Sequence, residues 1–139
     1  MNSKSAVRAA GLAVAVALSL GMRSAAAEGL PLPDLENHRW KHRVVVIDAA
    51  DIASPDYQTQ AAALLPVWVG LLERDFYVVT QIKPAAVFRV RLVGKDGGVK
   101  FDSAKPVSAD ALFALIDAMP MRREEAAAAK KEQAVKPRS

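Results

Sequence analysis

Hydrophobic residues along the chain alternate between two periods. Val44-Val45-Val46-Ile47 is an unbroken β-branched run ending at Asp48, the pattern of a strand buried on both faces. Ser54-Pro55 then opens a helix, with Ser54 as N-cap and Pro55 at the first position, where no N–H is needed. Tyr57, Ala61, Leu64, Leu65, Trp68, Leu71 and Leu72 recur at helical spacing, which predicts one apolar face. Val67 and Val69 lie off that stripe, so burial on more than one side is expected, and Pro66 predicts a kink near 62–66.

Phe76 to Ile82 reads as a second strand, parallel to the first after such a crossover. Phe88, Val90 and Leu92 then alternate with Arg89 and Arg91, predicting a strand with one buried and one wet face. Asp96-Gly97 supplies a turn, and Val99 to Asp102 resumes the alternation as an antiparallel partner. Arg89, Arg91 and Lys100 are expected on one face of this hairpin. Gly94-Lys95-Asp96-Gly97-Gly98 joins two strands and no helix follows, so it is a turn rather than a phosphate cradle. Ser108 caps a last helix with Asp110 in its first turn, Val107 and Leu112 as a hydrophobic staple, and Leu112, Leu115, Ile116 and Met119 inward. Pro120 is expected to stop it. The predicted order is β-α-β-β-β-α, an α/β layer with a mixed sheet of about four strands flanked by helices.

Composition sets the compartment. Residues 1–27 carry Lys4 and Arg8, an apolar run from Ala9 to Leu20, and small residues before Glu28, the pattern of a signal peptide cleaved after Ala27. Export to the periplasm or the medium is expected, with no transmembrane segment left after cleavage. An uncleaved anchor is the alternative, although the apolar run is short of the roughly 20 residues a span needs. The leader holds Lys4, Arg8 and Arg23 and no acid, so its loss removes three basic residues and takes the net charge from +4 to +1. The basic balance therefore gives no support for nucleic-acid binding. Residues 28–37 read as an extended lead-in, 38–123 as one domain, and 124–139 as an Ala/Lys/Glu-rich tail expected to be a frayed helix passing into disorder.

The chain has no cysteine. Thiol–disulfide exchange and thiol peroxidase chemistry are therefore impossible, and the core holds without disulfides. No Gly-x-Ser-x-Gly, His-Glu-x-x-His or P-loop is present, so no catalytic residue and no cofactor is assigned.

Leu92-Val93-Gly94-Lys95-Asp96-Gly97-Gly98-Val99-Lys100 and Ile116-Asp117-Ala118-Met119-Pro120-Met121-Arg122-Arg123 together resemble the bacterial family known as domain of unknown function 4174, over roughly Leu35 to Arg123. The resemblance implies a thioredoxin-like fold and an extracytoplasmic setting, since related copies occur in extracellular sushi-repeat proteins. It implies no activity.

In such folds the reactive position opens the helix after the central strand, here Asp48 to Asp56. Asp48 and Asp51 are candidates there for a cation or polar ligand, and turn and capping chemistry accounts for the same residues. Arg122 and Arg123 are candidates for binding, or for bonding helix carbonyls and Asp117. His38 and His42 flank Trp40 and would share a face on a strand. Two imidazoles without a thiolate or carboxylate make a weak metal site, so no resident metal is expected. Met119 and Met121 would suit copper(I), but Met119 belongs to the core stripe. The reading that follows is a non-catalytic interaction module with an unidentified envelope or extracellular protein partner. A ligand or metal sensor, or an enzyme of non-thiol chemistry, at the Asp48/Asp51 edge is the alternative.

Overall fold

The computed structural model describes residues 29–135. The leader expected at 1–27 and the last four residues of the tail lie outside them. Four strands, β1 (Arg43–Ala49), β2 (Phe76–Ile82), β3 (Arg89–Val93) and β4 (Val99–Ser103), form one mixed sheet in the order β2-β1-β3-β4. β1 pairs parallel with β2, from Arg43 opposite Phe76 to Ala49 opposite Ile82, and antiparallel with β3. Its central place explains its unbroken apolar run, and all seven residues are buried.

The β1–β2 crossover holds α1 (Pro55–Leu64), a 3₁₀ turn (Leu65–Val67) and α2 (Trp68–Leu72). Pro66 sits in the 3₁₀ turn, where the missing N–H breaks the α-ladder as its chemistry requires. A 3₁₀ turn advances faster around the axis than an α-turn, so the helical phase slips there. The single apolar face is therefore not realised. Leu64 and Leu71 are buried, but Leu65, Trp68, Val69 and Leu72 are exposed. Of the two valines off the stripe, Val67 is half-buried against the core and Val69 is exposed.

After β4 comes α3 (Ala109–Asp117), capped by Ser108, whose Oγ accepts from the Ala111 N–H at 3.2 Å. Leu112 and Ile116 are fully buried against Val45, Ile47, Val90 and Leu92. Each such side chain contributes about 1.5–3 kcal/mol. Gln60 of α1 ties the entry of α3 down, donating to the Val107 carbonyl and accepting from its N–H. Gly97 takes φ +84° in the β3–β4 turn, a conformation that suits glycine.

α3 ends at Asp117, just ahead of Pro120 as expected, but Pro120 does not end the helical region. It begins α4 (Pro120–Val135), since proline is welcome in a first turn. The expected boundary between 123 and 124 thus falls inside a helix, and the described part of the tail is helical. The lead-in is also part of the fold. Leu35 packs on Val44, Val46 and Val93, covering the sheet face away from α1 and α3.

Candidate functional site

Asp48 lies on that second face and is fully buried. Arg91 donates to its Oδ2 at 2.6 Å, the Leu30 N–H donates to the same oxygen at 2.9 Å, and Gln81 donates to Oδ1 at 2.9 Å. Gly29, at φ +85°, lies so close that a Cβ there would meet Arg89 Cδ at 2.7 Å and Asp48 Oδ2 at 3.0 Å. Both carboxylate oxygens are engaged, Oδ2 by the lead-in and β3 and Oδ1 by Gln81 of β2, which also donates to the Pro31 carbonyl. Asp51 is exposed and closes its own turn, accepting from the Ala53 N–H at 2.8 Å. The two aspartates are thus not one site. Arg91, expected on a wet face, is buried because its charge is matched by Asp48.

Arg89, by contrast, pairs with Asp102 at 2.6 Å, and Lys100 with Asp96 at 2.7 Å. The hydrogen bond from Lys100 holds the Asp96 carboxyl below the usual range. These are solvated pairs of the hairpin, each of small net value.

The two motif segments meet at the other end of β1. Lys95, from the hairpin turn, and Arg43 are both buried and both reach Glu125 of α4. Lys95 Nζ lies 2.6 Å from Glu125 and 2.7 Å from Asp75, while Arg43 donates to Glu125 at 3.1 and 3.3 Å and to the Arg74 carbonyl at 3.0 Å. Burial works to raise the Glu125 carboxyl, but the hydrogen bonds from Lys95 and Arg43 outweigh it and the net shift is downward. Arg122 donates to the Glu73 carbonyl at 3.3 Å and lies 3.5 Å from Asp117. Asp117 also takes a two-pronged bond from Arg74, both arms at 2.9 Å, which lowers its carboxyl and raises the guanidinium. Arg74 in turn stands over the Phe113 ring, 4.3 Å from its centroid. Arg123 is exposed. With Arg74, Arg122 and Lys130 it lines a hollow of about 590 Å³.

His38 and His42 do not sit on a strand. They bracket a one-turn loop following the 3₁₀ turn Glu36–His38, and their Nδ1 atoms stand 3.1 Å apart. Among the described residues no group of three or more His, Asp or Glu side chains could hold a metal.

A shallow apolar groove of about 140 Å³ runs between the α1–α2 region and β2, lined by Tyr57, Leu64, Leu65, Trp68, Val78 and Thr80. β2 is an edge strand of the sheet. The sequence hid this groove because the stripe on 57–72 reads as core until the phase slip at Pro66 is known.

Residues 79–125 match the family model Domain of unknown function (DUF4174). The DUF4174 match spans β3, β4, α3 and the start of α4, and so includes Lys95, Arg122 and Glu125. Among solved structures the chain is similar to the reduced 2-Cys peroxiredoxin of Plasmodium vivax, at 12% identity and a TM-score of 0.52, over 65% of this chain and 84% of that one. No curated protein matches the chain significantly. The chain thus has a thioredoxin-like fold and no cysteine, and matches the DUF4174 model over 79–125. Among the described residues no helix is long and apolar enough to cross a membrane.

Proposed function

We propose that this chain is an exported, non-catalytic interaction domain that docks an extended segment of a partner protein along β2. One observation carries the reading: the groove beside that edge strand. Leu65 and Trp68 line it and are both exposed, apolar side chains that such a domain leaves in water only at some cost. The outer edge of β2 offers backbone donors and acceptors that another strand can pair with, while alternate side chains of that strand enter the groove. With no thiol, the fold retains a surface for recognition and loses the residue type on which thiol chemistry depends. Export rests on the charge and hydropathy of residues 1–27.

The basic hollow beside Arg123 and Lys130 supports a second contact, with an acidic part of the same partner.

Cross-linking capture from envelope extract and culture medium tests the proposal. The expected result is a specific protein retained by the native chain and lost with Leu65→Ser/Trp68→Ser. Leu65 is well exposed but Trp68 keeps about half of its surface covered, so that variant should still fold, at a cost of about 2 kcal/mol, which urea unfolding run beside the capture measures. Capture unaffected by the substitutions would move the docking surface elsewhere, and an Arg123→Ala arm would locate it at the hollow. Mass spectrometry of the N-terminus tests export, with a chain starting at Glu28 as the expected result.

A further inference from the structure

We infer that His38 and His42 form a bidentate site for a divalent late transition metal, with Cu²⁺ bound most tightly and Ni²⁺ and Zn²⁺ more weakly. The backbone fixes the pair: the His42 N–H donates to the His38 carbonyl at 2.8 Å, and the Lys41 N–H donates to the same carbonyl at 3.0 Å. Two histidines four residues apart across such a turn lie on one side of it. Their Nδ1 atoms are 3.1 Å apart. Two nitrogens bound to one metal at the usual 2.0–2.1 Å are separated by about 2.9–3.3 Å, whether the geometry is square-planar or tetrahedral. In the metal-free chain this contact is an imidazole–imidazole hydrogen bond, and an ion entering at this spacing displaces the proton held between the two nitrogens.

Two further features hold the rings in place. Tyr77 of β2 packs against both, with ring centroids 4.3 Å from His38 and 5.8 Å from His42. Between the histidines, Trp40 adopts φ +65°, an unusual conformation for a bulky residue. Its N–H is held by the Lys95 carbonyl at 2.7 Å, so the hairpin turn secures the strained loop. Local strain kept in place by neighbouring structure is a mark of functional geometry. No third His, Asp or Glu side chain joins the pair among the described residues, so water completes the coordination. Imidazole suits these ions, and the Irving–Williams order places copper(II) first.

The chain has two histidines and two tryptophans, which makes the test clean. In the full, untagged chain carrying Trp68→Phe, emission reports Trp40 alone. Copper(II) chloride should quench it with one-to-one stoichiometry, and His38→Ala and His42→Ala should each weaken that quenching at least tenfold. Zinc chloride added to ¹⁵N-labelled native chain should shift both Nδ1 resonances. This second measurement stands even where a substituted chain fails to fold. Quenching that does not saturate, quenching that survives both substitutions, or zinc shifts confined to Nε2 would overturn the site.

Discussion

Arg43 opens β1 with its side chain sealed from solvent, and its charge is answered by Glu125, a residue 82 positions further along the chain. Breaking a buried pair by removing one partner costs about 3–5 kcal/mol. Glu125 is partly exposed, and Arg43 keeps the Arg74 carbonyl, so Glu125→Gln should cost less, about 2 kcal/mol in urea unfolding. Asp48→Asn leaves Arg91 buried without its counter-charge and should cost about 3 kcal/mol. The Glu125 and Asp117 carboxyls are both depressed in the fold. The stability they contribute is complete above the unfolded values, about 4.3 for Glu and 3.9 for Asp, and is lost as pH falls through the lower folded values. Thermal unfolding followed from about pH 6 to pH 3 should show this loss, with a shallower slope in Glu125→Gln. The carboxylates at 48 and 51 were legible as chemistry but not as geometry. Sequence places them three residues apart, yet one side chain is buried in the sheet and the other closes an exposed turn.

Among the elements, those driven by apolar periodicity were the readable ones. β2 spans Phe76–Ile82 as its pattern predicts, and Ser108 caps α3. Ser108→Ala should lower stability by about 1 kcal/mol. The helical character of the tail was expected, but the docking of α4 escaped prediction because it is held by charge rather than by an apolar stripe. An Ala/Lys/Glu stretch looks solvated, and nothing in its local pattern reveals that Glu125 will meet Arg43 and Lys95. Truncation after Arg123 removes that carboxylate and should destabilise the domain by about 2 kcal/mol or more, whereas truncation after Lys131 should leave stability nearly unchanged. Equal effects would show that the anchoring lies in the end of the helix rather than at Glu125. The phase slip at Pro66 is the other illegible step. A proline announces a break but not how far the following side chains will rotate, and Trp68, beyond the break, lies at the surface beside Leu65.

At the scale of the molecule, the DUF4174 signature has a physical meaning. Its hairpin segment supplies Lys95 and its last segment Glu125, which with Arg43 lock α4 to the base of β1, while Arg122 ties α4 to Asp117 and the Glu73 carbonyl. That end of the sheet is held by charge. The opposite face is held by the lead-in through Asp48, and the β2 edge is left open. Unfolding should be identical with and without reductant, since the chain has no cysteine, and denaturation curves in both buffers check this.

The most direct test of the docking face is site-specific photo-cross-linking in cells producing the full chain. A photoreactive residue at Trp68 samples the groove, and one at Lys100 samples the hairpin surface. A discrete protein adduct from position 68 and none from position 100 is the predicted result. An adduct from position 100 alone, with position 68 silent, would contradict the assignment of β2 and its groove as the docking surface.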